Sequence, residues 1–315
     1  DLFDGINCQR HPEHGCSGRL QGRLMAIWNL GSINIDVVYR VSHLPAPGET
    51  LAATEVTRGL GGKGANMSVA AARAAGRVVH VGAVGADGGW TVDRLMEYGV
   101  DVRHIARLSG ETGHAIIAVD GAGENNIILY TGANRHLAND MIGAALSSAD
   151  RGDTLLMQNE TNGQAEAAQM ASQLGLKVVY AAAPFDADAV RRVMPYLDML
   201  VLNAVEAAQL SDALGAELAD LHISQIVVTR GADGCDHYDN IRKTKQHYPS
   251  IKVDAVDTTG AGDTFTGYLV AGLDRDLPIA QAIDLAMTAG AIMVTRHGTA
   301  DVIPDLKDIE DFKLR

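Results

Sequence analysis

DTLLMQ (153–158), KVVYAAA (177–183), DMLVLN (198–203) and QIVVTR (225–230) are four apolar segments in the middle of the chain. Each has the length and aliphatic content of a buried strand. Helical segments are predicted before them, near 138–148, 163–174, 186–194 and 204–213. Strands that alternate with helices indicate a parallel sheet with helices on both faces, so we expect an α/β fold.

The pattern extends in both directions from this region. Strands are predicted at LMAIWNL (24–30), IDVVYRV (35–41), 51–57, VVHVGAVG (78–85), GHAIIAVD (113–120) and NNIILYTG (125–132). Helices are predicted in GGKGANMSVAAARAAG (61–76) and WTVDRLMEYG (90–99), and near 261–273 and 278–295. The segments about 34–60 and 113–131 are not needed for the parallel sheet and are predicted to form a small antiparallel flap. No linker interrupts residues 24–315, which we expect to form one domain.

Composition narrows the class of protein. Hydrophobic residues make up 47% of the 315, and the formal net charge is −13. Nucleic acid is excluded as the main partner because neutralising its phosphates requires a basic surface. No apolar run approaches the roughly 20 residues of a membrane helix. Three cysteines, an odd number, suggest no disulfide framework, so we predict a cytoplasmic protein.

Residues 1–23 lack the apolar periodicity of the rest of the chain. Their Cys8, His11, His14 and Cys16 have no spacing that is typical of a zinc site. We therefore predict a disordered tail that binds no metal. Natural translation is expected to begin at Met25, where the ordered pattern starts.

The motif with the clearest chemistry runs from Asp257 to Asp263, DTTGAGD, and follows IKVDAV (251–256), which is predicted to be a strand. Gly260 and Gly262 allow a ligand to approach the backbone, and Ala261 lies between them. N–H groups at the start of the following helix bind anions and stabilise charge on a transferred phosphoryl group. Asp263 lies beside them, where a carboxylate can take a proton from an attacking hydroxyl. Helix capping is the competing explanation, but it accounts for only one Asp and one Gly and not for two acids on either side of Gly-Ala-Gly.

A second glycine-rich motif, GLGGKGAN, covers residues 59–66. Its G-x-G-x-x-G spacing is a weak signal for a dinucleotide, since the preceding ATEVTR is polar and short. No Ser or Thr follows Lys63, so the motif is not a phosphate-binding P-loop. Two interpretations remain: Gly62, Lys63 and Asn66 bind a polyhydroxylated ligand, or the motif is a tight turn before a helix.

Polar residues also follow several predicted strands. Asn34 and Asp36 lie on one face of their strand and can hold a vicinal diol, or simply form a solvated face. The remaining residues follow strands whose carboxyl ends meet at the edge where α/β folds bind ligands. They are Glu160, Asn203, Glu206 and the segment Thr229–Gly234. Helix capping is the competing explanation for Asn203 and Glu206.

The combination of GSINID (31–36), GGKGAN (61–66), DGAGENNIILYTGAN (120–134) and VDTTGAGDTF (256–265) resembles the ribokinase-like, or PfkB, family of sugar kinases. The resemblance covers about residues 25–313. It implies a three-layer α/β/α fold with a small β-sheet lid, often a dimer contact. It also implies that ATP, with Mg²⁺, phosphorylates the primary hydroxyl of a sugar, and D-ribose is the expected acceptor.

The resemblance also implies residue roles. Asp263 would be the catalytic base, with an anion hole at Gly260, Ala261 and Gly262. The matching positions for sugar are Asn34, Asp36, Gly62, Lys63, Asn66 and Glu160, and those for nucleotide are Asn203, Glu206, Thr229, Gly231 and Gly234. An activating K⁺ would be bound by Asp257 and by the carbonyls of Thr259, Met293, Arg296 and Gly298.

Two departures from the family pattern stand out. Leu202-Asn203-Ala204 replaces the family's Pro-Asn-Glu, and Val302 removes a hydroxyl near the K⁺ loop. Three alternatives stay open: a kinase for another sugar or a nucleoside, a nicotinamide-dependent dehydrogenase that uses residues 59–64, and a sugar-binding regulator without turnover.

Overall fold

The computed structural model describes residues 25–314. The predicted tail at residues 1–23 and its cysteines and histidines lie outside the described residues. The described strands are β1 (Ala26–Leu30), β2 (Asn34–Arg40), β3 (Glu55–Gly61), β4 (Arg77–Val84), β5 (Asp101–Arg107), β6 (Gly113–Val119), β7 (Asn125–Tyr130), β8 (Thr154–Gln158), β9 (Lys177–Ala181), β10 (Met199–Asn203), β11 (Gln225–Thr229), β12 (Cys235–Asp239) and β13 (Thr244–Tyr248). The described α-helices are α1 (Lys63–Arg73), α2 (Gly89–Glu97), α3 (Asn139–Leu146), α4 (Gln164–Leu174), α5 (Ala187–Val193), α6 (Ala204–Leu214), α7 (Ala261–Asp274), α8 (Ile279–Met293) and α9 (Leu306–Lys313).

Nine strands form a large sheet in the order β13-β12-β11-β10-β9-β8-β1-β4-β5. Neighbours from β5 to β11 are parallel, whereas β12 and β13 add an antiparallel edge. Segments such as TLLMQ in β8 are buried throughout because helices cover both faces of a parallel sheet. The predicted α/β architecture is therefore confirmed.

Two apolar cores lie on opposite faces of this sheet. One contains Ile27, Tyr268 and Ile283 and packs α1, α2, α7, α8 and α9. The other contains Trp28, Leu155 and Tyr180 and packs α3 to α6. Successive residues of β1 alternate between the cores, as the pleat of a strand requires.

A separate four-stranded sheet has the order β3-β2-β6-β7. Its outer strand β7 is exposed throughout its length. The predicted flap is confirmed as a small sheet, but it is mixed, because β2 and β6 pair in parallel. The grouping of residues 24–315 as one domain stays a prediction.

Four local predictions were wrong or incomplete. The strand predicted at 51–57 lies instead at Glu55–Gly61, because pairing with β2 joins Arg40 to Glu55 and Asn34 to Gly61. IKVDAV (251–256) is not a strand, since β13 already forms the edge of the large sheet. β5 and the β12–β13 hairpin were not predicted, because DVRHIAR, CDHYD and TKQHY carry too many polar residues for the apolar pattern.

Candidate active site

The start of helix α7 brings an acid and exposed backbone donors together. Gly260 precedes the helix with φ of 73°, a left-handed conformation that favours glycine. Asp263 follows in the first turn and is only 7% exposed. Asn66 Nδ2 donates a hydrogen bond to Asp263 Oδ2 at 2.9 Å. This contact from α1 fixes the orientation of the carboxylate at the helix N-terminus.

The backbone in front of α7 leaves room for an anion. A Cβ atom built on Gly262 would meet no heavy atom within 4 Å. The first N–H groups of a helix have no carbonyl partner in the preceding turn and carry its positive dipole end. Gly262 therefore presents backbone toward open space beside Asp263, whereas a Cβ on Gly260 would lie 3.3 Å from Met293 Cε and the Ala261 N–H donates to the Thr258 carbonyl oxygen at 3.3 Å. The anion hole at these three residues stays a prediction.

Asp36 lies in a second part of the site, at the base of the small sheet. A Cβ on Gly61 would fall 2.1 Å from Asp36 Oδ2, so the carboxylate occupies the space that the glycine leaves open. Burial raises the pKa of Asp36 to about 7, and the negative charges of Glu160 and Asp263 add to this increase. Near neutral pH this carboxyl is therefore both a donor and an acceptor of hydrogen bonds.

Asn34 and Gly62 are fixed by close backbone packing around the same point. Asn34 Oδ1 accepts a hydrogen bond from Asn134 Nδ2 at 2.8 Å. Gly62 has φ of 92° and precedes helix α1. A Cβ on Gly62 would lie 2.9 Å from the backbone nitrogen of Asn34, so any side chain there would collide with β2.

Glu160 reaches the start of α1 from the end of β8. Its Oε2 accepts hydrogen bonds from the Ser32 hydroxyl and, at 3.1 Å, from the Lys63 backbone N–H. Burial raises the pKa of Glu160 despite these contacts. The charge of Asp263 raises the pKa of Lys63, and Glu160 contributes in the same direction. The charges of Glu160 and Asp263 thus act on both Asp36 and Lys63, which places these four ionisable groups in one region.

The predicted nucleotide-side residues lie at the ends of β10 and β11. Asn203 and Glu206 form a capping box: Asn203 Oδ1 accepts from the Glu206 N–H at 2.9 Å, and Glu206 Oε2 from the Asn203 N–H at 2.8 Å. Burial raises the pKa of Glu206, and the charges of Lys63 and Asp263 also act on it. Asn203 and Glu206 therefore cap helix α6, and Glu206 is also close to the site. The sequence had left capping and a site role as alternatives.

The turn after β11 contains two glycines with positive φ, Gly231 at 55° and Gly234 at 95°. The space next to Gly231 is open, whereas a Cβ on Gly234 would lie 2.0 Å from the Tyr248 carbonyl oxygen. Thr229 Oγ1 makes a long contact of 3.4 Å with the Leu202 carbonyl. Gly231 thus allows ligand approach, and Gly234 allows β13 to pack.

Three of the predicted K⁺ ligands, Met293, Arg296 and Gly298, lie at the end of α8 and in the loop that follows, and Asp257 contacts this loop. Asp257 Oδ1 accepts from the Thr259 N–H at 2.9 Å, and Oδ2 from the Gly298 N–H at 3.3 Å. Burial opposes ionisation of Asp257, but these hydrogen bonds prevail and lower its pKa. The other predicted ligands, the Thr259, Met293, Arg296 and Gly298 carbonyls, are hard oxygen donors that suit an alkali cation. Among residues 25–314 no cluster of three or more His, Cys, Asp or Glu side chains could hold a metal.

Ser32 and Asn134 were not predicted as site residues. Ser32 is fully buried and bonds to Glu160, and Asn134 Oδ1 also accepts from the Ile33 N–H at 2.9 Å. Both lie inside motifs that were recognised, GSINID and the end of DGAGENNIILYTGAN. Their positions were visible in the sequence, but their contacts span about 100 residues or more, which no local pattern reveals.

The glycine motif at residues 59–64 does not form a dinucleotide site. Gly59 and Gly61 belong to β3, which pairs antiparallel with β2 in the small sheet. A dinucleotide fingerprint requires a strand of the parallel sheet immediately before the glycines. The dehydrogenase alternative was therefore wrong.

Comparison with known proteins agrees with this geometry. The chain matches the pfkB family carbohydrate kinase over residues 27–306 and belongs to that family. The ribokinase of Haemophilus influenzae is 35% identical over 301 residues, which cover 90% of this chain and 96% of the relative. The ribokinase of Mus musculus is 32% identical over 301 residues, which cover 90% of this chain and 93% of the relative.

Solved structures show the same similarity. A ribokinase from Cryptococcus neoformans in complex with ADP superposes with a TM-score of 0.80 at 30% identity, covering 92% of this chain and all of the other. A ribokinase from Thermotoga maritima superposes with a TM-score of 0.80 at 31% identity, covering 93% of this chain and 99% of the other. The predictions of a ribokinase-like fold and of a carbohydrate kinase are confirmed. No helix among residues 25–314 is long and apolar enough to span a membrane.

Proposed function

We propose that this chain transfers the γ-phosphoryl group of ATP to the primary hydroxyl of D-ribose, giving D-ribose 5-phosphate and ADP. The observation that carries the proposal is the contact between Asn66 and Asp263 at the glycine-rich start of α7. It places an oriented, buried carboxylate next to backbone donors. The ribokinases similar to this chain support ribose as the acceptor.

Asp263 acts as the base in this reaction. Its carboxylate takes the proton of the 5-hydroxyl while the bond from that oxygen to the γ-phosphorus forms and the bond to the β-γ bridging oxygen breaks. The N–H groups at Gly260, Ala261 and Gly262 stabilise the negative charge on the transferred group. Transfer of this kind depends on positioning and electrostatics more than on covalent chemistry.

The sugar-side residues hold the remaining hydroxyls. Asn34, Asp36 and Lys63 combine acceptors and donors within a small buried region, which suits a vicinal diol. A partly protonated Asp36 can donate to one hydroxyl and accept from another. Gly62, Asn66 and Glu160 complete the set, and the small sheet acts as a lid that excludes water and limits ATP hydrolysis.

Cations complete the proposal for the nucleotide side. Mg²⁺ bound with ATP would neutralise phosphate charge, and Glu206, which lies within electrostatic range of Lys63 and Asp263, would help to order it. Asn203, Thr229, Gly231 and Gly234 line the turns toward the nucleotide. The ionised Asp257 and the neighbouring carbonyls fit K⁺, with Val302 packing beside Gly298 rather than adding an oxygen.

ADP release from Mg-ATP tests the function, with D-ribose, 2-deoxy-D-ribose, hexoses and nucleosides as acceptors. The deoxy sugar is included because a deoxyribokinase of Salmonella typhi is 28% identical over 307 residues. We expect the highest kcat/KM with D-ribose, and phosphorus NMR of the product should show a 5-phosphate. Faster turnover of another acceptor would contradict ribose, and binding without turnover would indicate the regulator.

The exposed β7 strand supports a homodimer through the lid. Ile127 and Ile128 are 53% and 66% exposed, and Leu129 and Tyr130 are about half exposed. Such an apolar edge strand is a template for pairing with a second copy. Light scattering should give twice the mass of one chain, and Ile128→Lys should shift it to the monomer. The cytoplasmic location remains a proposal that rests on the cysteine content.

A further inference from the structure

A chain of buried polar side chains lies beneath the sugar side, and the proposed mechanism does not use it. Asn29, Ser68 and His80 are fully buried, and Gln158 is 1% exposed. They come from β1, α1, β4 and the end of β8. Buried polar groups cost stability unless each is hydrogen-bonded, so four of them in one place require an explanation.

The position of His80 determines its protonation. Nε2 lies 3.1 Å from the Gly31 carbonyl oxygen, and Nδ1 lies 2.8 Å from Ser68 Oγ. A carbonyl only accepts, so Nε2 carries the hydrogen. Burial lowers the pKa of His80 to about 4, which leaves the ring neutral and Nδ1 an acceptor. The Ser68 hydroxyl therefore donates to His80.

Asn29 extends the chain in the opposite direction. Its Nδ2 donates to Ser68 Oγ and to the Gly64 carbonyl, both at 2.8 Å. Its Oδ1 accepts from Gln158 Nε2 at 2.8 Å. The donors consequently point one way, from Gln158 through Asn29, Ser68 and His80 to Gly31.

This chain connects the segments that carry the sugar-side residues. Gly31 precedes the turn to Asn34 and Asp36, Gly64 lies in the first turn of α1 beside Lys63, and Gln158 is two residues before Glu160. The backbones of Gly31 and Gly64 cross so closely that a Cβ on Gly64 would lie 2.4 Å from the Gly31 Cα. The polar chain holds both carbonyls at this crossing.

We propose that Asn29, Ser68 and His80 are positioning residues, which set the geometry of the sugar side through the backbone at Gly31 and Gly64. The inference rests on the proposed function, because it concerns how that site binds its acceptor. Apolar side chains of similar shape replace a buried polar network at little cost when its partners are replaced with it, so stability alone does not require these side chains. The polar chain additionally fixes the relative positions of the three segments that carry the sugar-side residues.

Ser68→Ala tests the proposal, because it interrupts the chain at its centre and removes one oxygen. We expect the KM for D-ribose to rise roughly tenfold, as misplacement of binding groups does, with the KM for ATP unchanged. Thr288→Ala is the matched control: Thr288 is also fully buried in a helix, and its hydroxyl bonds to the Asp284 carbonyl at 2.8 Å rather than to any member of the polar chain. Equal KM values for D-ribose in the two variants would overturn the proposal.

A combined apolar variant separates positioning from stability. Asn29→Leu, Ser68→Ala, His80→Phe and Gln158→Met together leave none of the four polar side chains in place. We expect an unfolding temperature near that of the wild type and a raised KM for D-ribose. A wild-type KM in this stable variant would refute the positioning role. The wild type is assayed first, so a failure to phosphorylate D-ribose counts against the proposed acceptor alone, and the variants are then compared with the acceptor it does use.

Discussion

The sugar side and the nucleotide side of this site are built from different parts of the chain. On the sugar side, Asn34, Asn66 and Asp263 are side chains that are 4–7% exposed, and the neighbouring acids have shifted pKa values. On the nucleotide side, Gly231 and Gly262 lie next to open space and offer only backbone. Under the proposed function, the first side would recognise hydroxyls mainly with side chains, and the second would recognise phosphates mainly with the main chain.

This difference has an energetic consequence. Burying polar side chains for binding lowers the stability of the folded state. The acids lose hydration on folding, and no sugar hydroxyl replaces the lost water until the ligand binds. Backbone donors at a helix start carry no such cost, since they remain hydrated until an anion arrives. Substitutions on the sugar side should therefore trade function against stability, whereas those on the nucleotide side should act through backbone conformation.

Asp263→Asn should produce the largest effect, because Asp263 lies where the two sides meet. The amide keeps the size of the side chain but cannot accept the proton, so kcat should fall by about 10³-fold. Stopped-time ADP release measures kcat, and titration calorimetry measures D-ribose and ATP affinity. A kcat within tenfold of the wild type would contradict the assignment of the base.

Asp36→Asn should weaken sugar binding without affecting the nucleotide. Loss of a hydrogen bond to a charged group costs about 1.5–3 kcal/mol, which corresponds to a KM for D-ribose raised roughly 10- to 100-fold. The KM for ATP should stay unchanged. An equal rise in both KM values would show that the two sides are not separable in the way their construction indicates.

The same substitution should make the protein more stable at high pH. Native Asp36 keeps its proton to about pH 7, whereas the unfolded carboxyl releases it near 3.8. The folded state thus binds more protons between these values, and the free energy of unfolding falls as pH rises through them. The asparagine variant has no such loss. Its free energy of unfolding should therefore rise relative to that of the wild type by roughly 3 kcal/mol from pH 5 to pH 8. Urea unfolding at both pH values measures it, and a constant difference would contradict the buried acid.

The same contrast explains what could be predicted from the sequence. The parallel sheet followed from apolar segments such as TLLMQ, because burial on both faces leaves a local pattern. The motif at Asp257–Asp263 was recognisable because a phosphate site formed by the backbone requires glycines that lie close together along the chain. Strands β5, β12 and β13 lack such a pattern, since polar and charged residues interrupt the apolar positions of DVRHIAR, CDHYD and TKQHY.

The sugar side was predictable only in its residues, not in its contacts. The bonds from Asn66 to Asp263 and from Lys63 to Glu160 span 197 and 97 residues. The role of Ser32, and the buried chain through Asn29 and His80, depend on the crossing of Gly31 and Gly64, which is a property of the folded chain alone. Separations of this kind are fixed by the tertiary structure.

Gly260→Ala should give the smallest of these effects and would test the nucleotide side directly. An alanine at φ of 73° costs about 1–2 kcal/mol, and its methyl group would lie 3.3 Å from Met293 Cε. We expect a lower unfolding temperature and a severalfold higher KM for ATP, with the KM for D-ribose unchanged. Gly143→Ala in helix α3 is the matched control, because its Cβ would meet only Met170 at 3.5 Å and helix propensity predicts a gain of roughly 0.5–1 kcal/mol. If both alanines had the same effect on stability and on the KM for ATP, the left-handed turn before α7 would not be what shapes the nucleotide side.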